Sequence, residues 1–304
     1  MGFSMYYKSL VLFMYFMVVF IGVNLTSPVV VWVCLELCMV LTLLLMYNEG
    51  ASMEALFIYY LIQALSSLIM VMSMLGAMSV GFVLGLTMKL GLIPYFWWVI
   101  SVLKDVKLGV SVFFILGMQK VLPFILFSRW FILEVDKMTL CVYMLSLGSM
   151  IIGLMLMLSF YGYIWVLTGS SMIHSSWILV FMMISPSVSE VYLMVYLLFM
   201  IVVIWGGVDG ILGLSSWLLL AFSGIPPLVG FFLKMYGILM MNTSVIMMVV
   251  VMVMISALSG IAYLRGMMLV SMLKGSGVTD MSGGVKFTTV LWFLVAFCSG
   301  LVFI

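Results

Sequence analysis

Four ionisable side chains stand inside long apolar runs: Glu36 in VCLELCMV, Lys89 in GLTMKLGLIP, Lys120 in LGMQKVLP and Lys234 in SGIPPLVGFFLK. An ionised group at the centre of a membrane helix costs about 2.5–3.5 kcal/mol. Four of them in one chain therefore imply partners, water, or both. Hydrocarbon favours a neutral amine, whereas a nearby carboxylate favours an ammonium. A Glu36–Lys89 pair could thus switch a lysine between charged and neutral as its spacing changes. Lys120 and Lys234 could then take up and release protons through water and hydroxyls such as Ser66, Ser67, Thr168, Ser170 and Ser171. The bland alternatives are a snorkelling lysine or a structural ion pair.

Prolines stand close to three of these charges. Pro94 follows Lys89 by five residues, Pro123 follows Lys120 by three, and Pro226–Pro227 precede Lys234 by about two turns. Proline removes a backbone donor and breaks the helical ladder. In a membrane the freed groups are tolerated only where they face protein or a hydrated cavity. A broken helix beside a buried lysine is the arrangement a hydrated ion path needs, and transporter folds build such helices into inverted repeats.

The elements that must position these residues follow from composition. Of 304 residues, 67% are hydrophobic and 7% charged, with 11 basic and 9 acidic side chains and a mean hydropathy of +1.46. That surface excludes a soluble enzyme, a basic nucleic-acid binder and a disordered regulator. The net charge of +2 is too small to steer a partner. The apolar runs lack the alternation of a membrane β-barrel and match the roughly 20 residues of a membrane helix. The expected architecture is all-α, a single polytopic bundle of about eleven transmembrane helices over 1–304. Its spans are roughly 9–25, 28–47, 54–74, 77–100, 108–132, 138–158, 160–182, 190–206, 211–241, 245–266 and 286–303. Only 266–286 is long enough for a real loop. Residues 1–8 are too short for a signal segment, so the first run is expected to open the bundle. Segments 1–132 and 138–266 are candidate five-helix inverted repeats, with 286–303 as an extra C-terminal helix. Lys89 and Lys234 fall in the fourth span of each, with opposite order of lysine and proline.

Eleven spans put the termini on opposite faces. Lys8, Lys104, Lys107, Arg265, Lys274 and Lys286 then share the N-terminal face, against Arg129 and Lys137 on the other. The positive-inside rule makes the N-terminal face the cytoplasm-equivalent one, the matrix in a mitochondrion. The 34 Met, together with Gln63 and Gln119 as the only glutamines and His174 as the only histidine, suggest a strand-biased organellar genome; Met as a pliable apolar filler is the alternative. Cys34, Cys38, Cys141 and Cys298 are scattered; Cys34 and Cys38 share a helix face, but nothing completes a metal site there and buried structural roles fit better. No haem, iron–sulfur or flavin motif is visible.

The ordered set WVCLELCMVL, SMEALFIYYLIQALSSLI, KLGLIPYFWW, QKVLP, SSMIHSSW and SGIPPLVGFFLK resembles the antiporter-like membrane subunits of the mitochondrial NADH–ubiquinone oxidoreductase, respiratory complex I. The match runs through roughly 30–240. The resemblance implies a proton-translocating core subunit of the inner mitochondrial membrane, with its N-terminus in the matrix and its C-terminus in the intermembrane space. It implies that NAD, FMN, iron–sulfur clusters and ubiquinone belong to other subunits, leaving no cofactor or metal in this chain. Other membrane-arm subunits and lipids are the implied partners; nucleic acid is not. The family's carboxylate and its three lysines fall on Glu36, Lys89, Lys120 and Lys234, the same residues isolated by burial. The chain departs from the pattern at Phe96, where a histidine is common, at Ile100–Ser101 in place of Pro-Glu, and at Ile164–Trp165 in place of a basic pair. His174 matches, although a lone histidine near a helix end is more often a hydrogen-bonded structural group than a proton carrier. A stand-alone cation/proton antiporter and a structural scaffold subunit are the competing readings.

Overall fold

The computed structural model describes residues 2–76, 79–107, 109–131, 139–160, 162–208, 224, 229–240 and 246–275. In hydrocarbon backbone polar groups must be satisfied internally, and runs this apolar, without a barrel's alternation, do so as helices. No strand occurs among the described residues. The helices are α1 (Gly2–Asn24), α2 (Pro28–Asn48), α3 (Met53–Leu75), α4 (Ser79–Leu90), α5 (Trp97–Asp105), α6 (Val110–Leu116), α7 (Val121–Phe131), α8 (Thr139–Ser159), α9 (Tyr163–Ile184), α10 (Pro186–Val208), α11 (Val229–Leu239) and α12 (Ile246–Gly275), with a 3₁₀ turn at Met118–Lys120. Eight of the described spans are long and apolar enough to cross a membrane.

The expected spans 9–25, 28–47, 54–74, 138–158, 160–182 and 190–206 each coincide with one continuous helix. The spans 77–100 and 108–132 are interrupted, at 91–96 and at 117–120. The Ile93–Pro94 bond in the first interruption is cis. Pro123 sits in the first turn of α7, where its missing N–H leaves no gap in the ladder. One boundary differs: α12 continues to Gly275, so the first part of the expected 266–286 loop is helical. Its Met and Leu residues are good helix formers. Only the end of the expected span 211–241 is described as helix, in α11. Pro226, Pro227 and the expected span 286–303 lie outside the described residues.

Contacts at the helix ends define two faces. At one, Lys8 lies 3.8 Å from Glu49, whose carboxylate also accepts from the Ser111 amide and hydroxyl. Ser52 donates to Asp105 at 2.7 Å, and the Lys104 ammonium lies over the Trp165 ring. Trp165 stacks on Phe160, whose carbonyl accepts from Arg265. Lys8, Lys104 and Arg265 thus share an end, while Arg129 bonds the C-terminus of α1 at the other. α6–α7 and α9 form the interior, most of each span being buried. α8 meets α9 where Gly153 and Gly169 face each other's carbonyls, an approach that any side chain would block.

Candidate functional site

Lys89 sits in the last turn of α4 because the helix stops there. Gly91 adopts the left-handed conformation, φ +67°, and its amide bonds the Met88 carbonyl while the Leu92 amide bonds that of Thr87. This is a Schellman closure. A side chain at Gly91 would also strike Val99. The Lys89 carbonyl, left without a helical donor, accepts from the Gln63 amide at 3.4 Å, and Trp98 Nε1 donates to the Met88 carbonyl at 3.0 Å. The negative end of the α4 dipole favours a cation at this position. Lys89 Nζ lies 3.9 Å from Glu36 Oε1, with side-chain exposures of 1% and 27%. The expected pairing of Glu36 and Lys89 is therefore present in the structure, at ion-pair rather than hydrogen-bond range.

Lys120 ends the 3₁₀ turn between α6 and α7, a tightening that often marks a functional interruption. Its ammonium donates to the Ser171 carbonyl and to Ser175 Oγ, both at 3.0 Å, and lies 5.8 Å from the centre of the Tyr196 ring. The Leu116 carbonyl at the break accepts from the Tyr196 hydroxyl at 2.9 Å. Lys234, on α11, is buried and lies over the Trp177 ring at 5.8 Å, within cation–π range. It folds back onto Gly224 just before the Pro-Pro element: a Cβ at Gly224, φ +95°, would meet Lys234 Nζ at 2.8 Å. His174 is buried, its Nδ1 2.9 Å from the Tyr192 hydroxyl, and lies within electrostatic reach of both lysines. The stretch 171–177 of α9 thus organises Lys120, His174 and Lys234.

Between the Glu36–Lys89 pair and Lys120 runs a set of neutral polar groups. Thr42 Oγ1 and the Tyr59 hydroxyl are 2.5 Å apart, and Gln119 Nε2 donates to the same hydroxyl. Tyr59 and Gln63 are four residues apart on α3, so they share a face. Both glutamines of the chain therefore stand in this bridge, and both Oε1 atoms are buried without a donor from the protein.

Ser66, Ser67, Thr168, Ser170 and Ser171 each turn their hydroxyl back to the carbonyl three residues earlier on their own helix. The hydroxyl that Lys120 reaches is Ser175, one turn after Ser171. Ser175, Tyr59, Thr42, Tyr192 and Tyr196 escape a search by charge. The signal that could have found Gln63 and Gln119 was their scarcity. The departures Phe96, Ile100 and Trp165 prove to be neighbours, in one apolar cluster with Ile152, Leu156 and Met172. Ser101 donates to the Trp98 carbonyl.

No family model matches the chain. It is 26% identical over 293 residues to NADH-ubiquinone oxidoreductase chain 2 of Mus musculus, covering 84% of each chain. To the protein of the same name from Crocidura suaveolens gueldenstaedtii it is 28% identical over 254 residues, 71% of this chain and 72% of that one. Its fold matches a chain in the structure of the Mrp complex from Dietzia sp., with TM-score 0.67, 15% identity and 82% of this chain covered. It also matches a chain of respiratory complex I from Thermus thermophilus with bound aureothin, with TM-score 0.66, 19% identity and the same coverage. The chain spans 58% and 66% of those two chains. The resemblance expected from the ordered motifs is borne out, as is the all-helical membrane architecture.

Proposed function

We propose that this chain, a homologue of NADH-ubiquinone oxidoreductase chain 2, is a proton-translocating membrane subunit of such an oxidoreductase in the mitochondrial inner membrane. Its working groups are Glu36, Lys89, Lys120 and Lys234. The observation that carries this reading is the burial of three lysines, two of them, Lys89 and Lys120, at helix interruptions, with Glu36 facing the first. A 3.9 Å separation suits a bridging water. Closing it favours the ammonium, and opening it favours the neutral amine. A proton released from Lys89 would pass along the Gln63, Tyr59 and Gln119 groups and their water to Lys120, then by His174 to Lys234. Gln63 Oε1 and Gln119 Oε1 are acceptors that such water would satisfy. Electron transfer from NADH to ubiquinone, with its NAD, FMN and iron–sulfur centres, belongs to other subunits, and this chain converts its free energy into proton movement. The end carrying Lys8, Lys104 and Arg265 faces the matrix in this reading.

Purification tests membership of the assembly. Solubilised in mild detergent, the chain should co-migrate with a large NADH-oxidising complex and lose function when separated. A lone chain that exchanges cations for protons would contradict the proposal in favour of an antiporter.

A further inference from the structure

The chain contains two arginines, and both perform one task at opposite ends of the bundle. Arg129, near the end of α7, donates through its two terminal nitrogens to the Leu25 and Val23 carbonyls, where α1 stops. Arg265, on α12, donates to the Leu158, Met157 and Phe160 carbonyls at 2.6, 2.7 and 3.1 Å, where α8 stops. The last carbonyls of a helix lack internal donors, and the helix dipole is negative there. A guanidinium fork can span two such carbonyls, which a lysine point charge cannot do with the same geometry.

The spacing is also shared. Val23 and Leu25 precede Leu158 and Phe160 by 135 residues, and Arg129 precedes Arg265 by 136. The packing agrees: α7 lies against α1 and α2, as α12 lies against α8 and α9. At the offset of the arginines, Lys120 corresponds to Ser256, a buried residue whose hydroxyl donates to the Val253 carbonyl. The arginine contact is common to both halves, but the ammonium occurs in only one.

We propose that Arg129 and Arg265 are equivalent clamps, each pinning the fifth element of a five-element repeat to the C-terminus of its first, and that Arg129 is a positioning residue for Lys120. Nine residues separate Lys120 from Arg129 along α7, about 14 Å at the helical rise. A clamp at the far end therefore sets the depth of the lysine against Ser171 and Ser175. The effect on proton movement rests on the proposed function; the equivalence of the clamps does not.

The test compares Arg129→Gln, Arg129→Lys, Arg265→Gln and Arg265→Lys in the intact assembly, reading thermal stability and protons translocated per NADH oxidised. Both glutamine variants should lower the melting temperature by similar amounts, with less than half recovered by lysine. Proton yield should fall at least twofold in Arg129→Gln and remain at the parent level in Arg265→Gln. Should Arg129→Gln fail to assemble, Arg129→Lys carries the same comparison. Lysine variants as stable as the parent would overturn the clamp, and so would unequal losses from the two glutamine variants. A parental proton yield in a destabilised Arg129→Gln assembly would overturn the positioning role. If Lys120→Met also leaves the yield unchanged, the proposed function fails, and the stability comparison still decides the equivalence.

Discussion

Lys89 and Lys120 are equally buried but are held by opposite means. Lys89 faces a carboxylate across 3.9 Å at the end of a helix whose dipole also favours a cation. Lys120 is held by a carbonyl, a hydroxyl and the face of Tyr196. The first is an ion pair whose strength changes with a single distance. The second is a cage of neutral dipoles, which can hold an ammonium and can equally hold an amine. A relay needs both kinds of site, one that responds to a moving charge and one that accepts what the first releases. In the proposed relay, the first environment suits the switch at Lys89 and the second the transfer at Lys120.

The largest effect should come from breaking the pair on one side only. Glu36→Gln leaves Lys89 buried without its carboxylate and should destabilise by about 3 kcal/mol, the lower end for a buried pair because the Glu36 side chain is 27% exposed. Adding Lys89→Met should restore most of that in a thermal melt of the assembly. Equal melting temperatures for the single and double variants would remove the pair from the account. Gly224→Ala comes next, because it combines a φ of +95° with a Cβ placed on Lys234. It should destabilise by about 1–3 kcal/mol and lower proton yield as Lys234 is displaced. Ser175→Ala removes one charged hydrogen bond from the cage and should have an effect near the lower end of about 1.5–3 kcal/mol. The smallest destabilisation belongs to Lys120→Met. Removing an ammonium that no carboxylate faces among the described residues should leave stability unchanged or raise it, a sharp contrast with Glu36→Gln.

Much of this was legible from residue types. In a chain 7% charged, an ionisable residue within an apolar run is conspicuous, and Glu36, Lys89, Lys120 and Lys234 stand out for that reason. The interruption after Lys89 was readable from Pro94, because proline acts on the local backbone. The break at Lys120 is harder to place: Pro123 signals it, but the irregular backbone begins at Gly117 and is stabilised by Tyr196 from 80 residues away. The cage around Lys120 was not legible, since Ser175 is one of many serines and only packing selects it. The bridge through Tyr59 and Gln119 was hidden for the same reason, as neutral polar side chains are inexpensive enough to occur for many purposes. The clustering of Phe96, Ile100 and Trp165 was invisible because they come from distant elements, α5 with its N-terminal flank and α9.

The most direct test of the central claim is the proton yield of the Lys120→Met assembly, measured as protons translocated per NADH oxidised in sealed vesicles. The relay predicts an assembly of parental stability whose yield falls severalfold. An undiminished yield from that intact assembly would contradict it.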